Sequence, residues 1–103
     1  MAKQHYFFKL IPPRPTFPND MTDEERRLME EHFHYFHEQF VAGRMLLYGP
    51  VMAAAGSFGL AVLEVEGAAE AQRFGESDPT VKAGLNRFEV CPMHVAAARA
   101  IEP

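Results

Sequence analysis

Apolar and polar residues are patterned along the chain in a way that predicts four strands and two main helices. Strands are predicted where aromatic and branched residues cluster between turn-forming residues. They cover residues 5–11, 45–48, 58–65 and 87–93. A long helix is predicted from Thr22 to about Ala42, because apolar residues recur there every three or four positions. A second helix is predicted over residues 68–76, so the order is strand, helix, strand, strand, helix, strand.

The long helix carries signals for both of its ends. Thr22 is a favourable N-cap residue, and Glu25 three positions later completes a capping box. Gly43 supplies a left-handed residue at the other end. Apolar residues at i, i+4, i+7 and i+11 predict a stripe that faces the core. The members of this stripe are Met29, Phe33, Phe36 and Phe40.

Prolines and glycines mark the connecting segments. The proline-rich stretch 12–18 predicts a stiff loop without regular structure, which either covers a site or shifts the start of the helix. Gly49-Pro50 is expected to close a short buried strand, and Asp78-Pro79 is expected to open one helical turn. Residues 95–101 are a candidate for a terminal helix.

The order of elements predicts an α+β fold of the ferredoxin-like type, with residues 1–103 forming a single domain. In this fold two helices cover one face of a four-stranded antiparallel sheet. Nine Phe residues, with several Val and Leu, exceed what that face needs. We therefore predict that the other face packs sheet to sheet against a second copy of the chain, which makes the protein a homodimer.

The composition argues against several classes of protein. A chain of 103 residues with 48% apolar content can form a core and is unlike a disordered protein. A net charge of −4 without a basic patch argues against nucleic acid as a partner. No apolar run of about 18 residues is present, so no membrane span is expected. The single cysteine, Cys91, and the lack of a signal-peptide core predict a cytoplasmic protein.

Three histidines, His32, His34 and His37, lie on the long helix. Only His34 and His37 have the spacing of helical metal ligands, and no Cys or carboxylate set accompanies them. We therefore expect exposed histidines there, with neither a metal nor a cofactor. His32 borders the apolar stripe, where it is either a hydrogen-bonded histidine at the edge of the core or a proton acceptor.

Asp78 is a candidate partner for His32, although the two are far apart in the sequence. Asp before Pro is a common helix N-cap, and that role is compatible with a bond to a histidine. A carboxylate that meets an imidazole fixes its tautomer and makes the pair a general acid/base device. We expect Tyr48, Gly49 and Pro50 to line a substrate pocket, the alternatives being a surface hydroxyl and a simple turn.

In their order and spacing, three of these features resemble the YciI-like (YCII-related) family. They are the helical His32 eleven residues before Gly43, the strand ending at Gly49-Pro50, and Asp78-Pro79 followed by a short helical turn and Gly84. The resemblance implies a ferredoxin-like α+β fold that pairs as a dimeric α+β barrel. It also implies that His32 and Asp78 are the catalytic pair.

The function expected from this resemblance is that of a small-molecule enzyme for proton transfer or elimination. A relative in the family removes hydrogen chloride from a hydroxylated aromatic compound with the corresponding pair, so a lyase of the dehydrochlorinase kind is implied. The alternative is a homodimer that binds or senses a small molecule without turnover, which the Phe and Met content also suits. A structural or interaction subunit would have no pocket between helix and sheet.

Overall fold

The computed structural model describes residues 3–102, which form one four-stranded sheet and four helices. The strands are β1 (Gln4–Ile11), β2 (Met45–Val51), β3 (Phe58–Val65) and β4 (Arg87–Met93). The helices are α1 (Phe17–Asp20), α2 (Asp23–Val41), α3 (Ala68–Glu76) and α4 (Pro79–Lys82). None of the helices in this part of the chain is long and apolar enough to cross a membrane.

The sheet has the order β2-β3-β1-β4, and every neighbouring pair of strands is antiparallel. With α2 between the first two strands and α3 between the last two, this is the predicted ferredoxin-like α+β arrangement. The two central strands, β1 and β3, are joined through the register pairs from Gln4–Val65 to Leu10–Gly59. Strand β4 lies at an edge, which agrees with the presence of Pro92 near its end.

The core lies on the face of the sheet that α2 and α3 cover. Alternate side chains of a strand point to opposite faces, so Tyr6, Phe8 and Leu10 of β1 all enter this core and are buried. Phe8 is fully buried, and its ring meets Phe36 of α2 and Phe74 of α3 edge to face at centroid distances of 6.0 and 5.1 Å.

The opposite face of the sheet receives neither α2 nor α3. Phe7 points to this face, and its neighbours across the strands are Val62 and Cys91. Cys91 is exposed, because this face carries no helix. The excess of apolar residues noted in the sequence is therefore found partly on an open face.

Both predicted end signals of α2 are confirmed, whereas the predicted stripe is only partly buried. Thr22 and Glu25 form the capping box, and Gly43 has a φ angle of +82°. Phe36 is buried, but Phe33 and Phe40 are 58% and 44% exposed. The buried face is displaced by about one residue, so that His32 takes the core position expected for Phe33.

Three predicted segments were wrong in detail. Strand β2 continues through Gly49-Pro50, with Pro50 opposite Gly59, because an edge strand tolerates proline. It was expected to be buried, but most of its residues are exposed. The end of the proline-rich stretch is helical, because α1 begins at Phe17 and Pro18 lies in its first turn, where no backbone donor is needed. Residues 94–102 form no helix, and Ile101 is 90% exposed, without an apolar surface to pack on.

Candidate active site

The side chain of His32 lies between helix α2 and the sheet and is 7% exposed. Its ring contacts Phe36, one helical turn further along α2, at a centroid distance of 4.2 Å. Its Nδ1 atom lies 2.6 Å from Oδ2 of Asp78, which is 46 positions away in the sequence. The structure therefore brings together the two residues that the sequence analysis selected as an acid/base pair.

Asp78 lies in the short connection between α3 and α4 and is fully buried. It is the N-cap of α4, because its Oδ1 accepts a hydrogen bond of 2.8 Å from the backbone N–H of Thr80. The Thr80 hydroxyl donates a second bond of 2.6 Å to the same oxygen. Asp78 thus has both roles considered for it, since one oxygen caps α4 and the other holds His32.

The electrostatics keep Asp78 ionised. Burial by itself would raise its pKa, but the hydrogen bonds from His32 and Thr80 and the charge of His32 outweigh burial and hold the pKa below its usual range. An ionised carboxylate only accepts hydrogen bonds, so His32 Nδ1 must carry the proton of this contact. In the neutral ring the lone pair is then on Nε2, which makes no hydrogen bond within residues 3–102.

Two further polar residues, Thr80 and Asn86, extend the pair, and neither was predicted from the sequence. Asn86, just before β4, is 4% exposed and donates from Nδ2 to Thr80 Oγ1 at 2.9 Å. Thr80 could have been noticed, because a side chain two positions after an N-cap lies beside that cap. Nothing in the sequence marks Asn86, since it reaches Thr80 only through the turn that follows α4.

A cavity of about 270 Å³ opens beside His32, between α2 and the sheet. Its wall is almost wholly apolar and aromatic, and His32 and Asn86 are both part of it. Tyr48, Gly49 and Pro50 of β2 also line this cavity, and the Tyr48 ring packs against Phe36 and Phe40. The expected pocket residues are therefore beside the pair, and their role in binding stays a prediction.

The proline-rich segment forms another part of the cavity wall, through Pro12, Phe17 and Pro18, together with Met21 just after it. Arg14 fastens this segment to α2, because its guanidinium donates to both carboxylate oxygens of Glu25, at 3.0 and 2.8 Å. It also donates to Asp20 Oδ1 at 2.8 Å. The segment was expected either to cover a site or to shift the helix start, and it contributes to the wall of a cavity.

The two remaining histidines of α2, His34 and His37, are exposed. No group of three or more His, Cys, Asp or Glu side chains within residues 3–102 is arranged to hold a metal ion. Among residues 3–102, the buried side chains of the Asp, Glu, His, Lys and Arg types are those of His32 and Asp78, and these two meet.

Comparison with known proteins gives a family and a fold. A family model described as "YCII-related domain" matches residues 7–94. A solved structure of 5-chloro-2-hydroxyhydroquinone dehydrochlorinase from Burkholderia phenoliruptrix AC1100, in complex with 2,5-dihydroxybenzoquinone, matches with a TM-score of 0.64. The two sequences are 21% identical, and the match covers 86% of this chain and 93% of that one. At this identity the likeness concerns the fold, and it confirms the predicted α+β class. No curated protein matches the chain.

Proposed function

Because the chain belongs to the YCII-related family, we propose that it is a small-molecule enzyme whose acid/base pair is His32 and Asp78. The observation that carries this proposal is the buried hydrogen bond of 2.6 Å between His32 Nδ1 and Asp78 Oδ2, in a histidine that lines a cavity. A carboxylate that orients an imidazole beside a cavity is suited to moving protons to and from a ligand.

The proposed reaction is an elimination. His32 Nε2 takes a proton from the substrate, and the electron pair that held this proton forms a new π bond. The leaving group, chloride for example, departs with the electrons of its own bond. Asp78 keeps its negative charge throughout and stabilises the imidazolium that forms on His32. The imidazolium then releases the proton to water, which restores the starting state.

A substituted single-ring aromatic compound is the proposed class of substrate. An apolar cavity of about 150 Å³ is known to hold benzene, so a cavity of about 270 Å³ leaves room for ring substituents. Aromatic side chains of the wall, among them Phe17, Phe36 and Tyr48, suit the faces and edges of such a ring. The dehydrochlorinase with the same fold, which was solved with 2,5-dihydroxybenzoquinone, supports this class.

Turnover of small halogenated and enolisable hydroxy-aromatic compounds tests the proposal, with chloride release and ultraviolet absorbance as readouts. Asp78→Asn keeps the helix cap, because Asn caps as well as Asp, but it removes the charge that orients and supports His32. We expect this variant to fold and to lose about 10²- to 10⁴-fold in rate. His34→Gln, an exposed histidine on the same helix, serves as the control and should keep full activity. Unchanged turnover in Asp78→Asn would show that the pair does not carry the reaction.

Binding without turnover is the second candidate function, and the scarcity of polar groups in the cavity wall favours it. In that case aromatic compounds bind, Asp78 acts only as a helix cap and a partner of His32, and none of the compounds is consumed. Product analysis by mass spectrometry after long incubation separates the two functions.

We further propose that the open face of the sheet pairs two copies of the chain. Phe7, Val62 and Cys91 form an apolar patch on this face, with Lys9 and Glu89 in the next row, and an apolar patch of this kind is normally covered. Sedimentation should therefore give a dimer, and Phe7→Glu should give a folded monomer in which Cys91 reacts faster with a thiol reagent. Val41→Glu, at an exposed position on α2, should remain a dimer. A wild-type monomer at micromolar concentration would contradict this proposal.

A further inference from the structure

The wall of the cavity beside His32 offers no partner for a negative charge. Among residues 3–102, none of those that line the cavity is Lys, Arg, Asp or Glu. Arg14 belongs to the segment that forms part of the wall, but its guanidinium is paired with Asp20 and Glu25. Lys9 contacts the ring of Phe58 from the open face of the sheet. An anion that enters the cavity therefore loses water without gaining a cation, which is costly.

His32 presents to the cavity an atom that disfavours an anion. Asp78 is ionised and holds the ring proton on Nδ1, so Nε2 carries a lone pair. Nε2 has no hydrogen-bond partner among residues 3–102 but keeps some accessible surface, so a ligand can reach this atom. While the ring is neutral, the pair as a whole carries the negative charge of Asp78. An anion beside Nε2 would therefore face both a lone pair and a charge of its own sign.

The other titratable groups near the pair do not change this balance. Tyr48 also lines the cavity, but a phenol carries no positive charge in either of its forms. The Tyr35 hydroxyl, on the same helix as His32, donates to the backbone carbonyl of Phe74. Within the described part of the chain, His32 is thus the one residue of the wall that can become a cation, and it does so only by taking up a proton.

We propose that the cavity accepts an acidic ligand only together with one proton. The inference rests on the proposed function for one point, that single-ring compounds bind here. The proton can stay on the ligand, which is then neutral. It can also sit on Nε2, where the imidazolium lies between Asp78 and the anion and donates to both. In either case one anion and one proton enter together, and the site stays selective against the anion alone.

Benzoate and benzamide test this proposal, because they have nearly the same shape and only benzoate is charged near neutral pH. Their binding can be followed by NMR titration of the ¹⁵N-labelled protein at several pH values. Benzamide should bind equally throughout. The affinity for benzoate should fall by about tenfold for each pH unit over the range in which His32 is neutral, since each ligand takes up one proton. The ring ¹⁵N resonances of His32 and the carboxyl ¹³C resonance of labelled benzoate should show which group holds that proton.

Asp78→Asn should produce a gain of binding, which a damaged fold cannot imitate. The backbone N–H of Thr80 donates to Oδ1 at 2.8 Å, so the carbonyl oxygen of the new amide must take this place. Its NH₂ group then faces His32 Nδ1 and donates to it, which moves the ring proton to Nε2. Nε2 becomes a donor and the negative charge is gone. At about pH 8 benzoate should therefore bind about tenfold more tightly than to the wild-type protein, with a much weaker pH dependence, while benzamide binds about equally to both.

Two control variants separate His32 from the other titratable groups. Tyr48→Phe removes the other titratable group of the wall, and benzoate should keep its pH dependence in this variant. His34→Gln removes an exposed histidine of the same helix and should also leave this dependence unchanged. The pH dependence and the resonances of His32 are measured on the wild-type protein, so they remain decisive if a variant does not fold.

Four results would overturn the inference. They are pH-independent binding of benzoate to the wild-type protein, loss of the pH dependence in Tyr48→Phe, no gain of benzoate binding in folded Asp78→Asn, and absence of binding by both compounds. Proton-linked binding of benzoate without turnover of any compound would support this inference and refute the proposed enzyme. Turnover that depends on Asp78, together with pH-independent binding of benzoate, would do the reverse.

Discussion

Helix α3 lies so close to the sheet at Gly75 that even a methyl group has no room there. A Cβ atom placed on Gly75 would lie 2.5 Å from Cδ2 and 2.6 Å from Cζ of Phe88, and it would be closer still to Cε2. Carbon atoms that are not bonded prefer separations of about 3.5–4.0 Å, so the ring or the helix would have to move by about 1 Å. The ring is stacked on the fully buried Phe8 at a centroid distance of 5.6 Å, which opposes this movement.

We therefore expect Gly75→Ala to lower the free energy of unfolding by about 1–3 kcal/mol, the usual cost of an overpacked core. This loss occurs even though Ala is favoured over Gly within a helix by about 0.5–1 kcal/mol. Each kcal/mol corresponds to about 4–8 °C in melting temperature for a domain of this size. Asp78 follows Gly75 by three residues, so a displaced helix should also weaken the hydrogen bond between Asp78 and His32.

Thermal and urea denaturation followed by circular dichroism measure the effect of Gly75→Ala. Gly49→Ala is the matched control, because a Cβ atom at Gly49 meets nothing within 4 Å, and it should leave stability unchanged or slightly higher. Adding Phe88→Leu should reduce the cost of Gly75→Ala, since the two positions are coupled through one contact. If Gly75→Ala is as stable as the wild-type protein, the reasoning about this close packing is refuted.

Three further predictions follow from the helix caps and the titratable groups. Thr22→Ala removes the capping box and should cost about 0.5–2 kcal/mol in urea denaturation, while Thr22→Ser should restore most of it. The Arg14 guanidinium, helped by the backbone N–H of Thr22, lowers the pKa of Glu25 from 4.5 to about 2. The folded-state pKa lies below the unfolded one, so Glu25 stabilises the fold above about pH 4.5 and this contribution disappears as the pH falls towards 2. Glu25→Gln should therefore flatten the acid side of the stability profile; an unchanged profile would contradict the assignment. Burial, with the charge of Asp78, raises the pKa of Tyr35 to about 12, and Asp78→Asn should lower the pH of its ultraviolet transition.

Signals between residues that are close in the sequence predicted local structure well. The capping box of Thr22 and Glu25, the left-handed Gly43 and the helical turn opened by Asp78-Pro79 all occur as expected. Each depends on contacts within about four positions of the chain, so the residues themselves contain the information.

Burial was predicted less well, because it depends on what packs against each face. Phe33 and Phe40 share the spacing of a core stripe with Phe36, yet both are exposed, and His32 is buried in their place. Gly49-Pro50 was expected to end a strand, but it continues β2 because this strand lies at the edge of the sheet.

By itself the sequence determined the order of the elements, the ends of α2 and the identity of His32 and Asp78 as candidates. Only the tertiary structure decided that these two side chains meet across 46 positions, and that Thr80 and Asn86 extend the pair. The physical reason is that helix caps and periodicity come from neighbouring residues, whereas a site comes from how separate elements pack on one sheet.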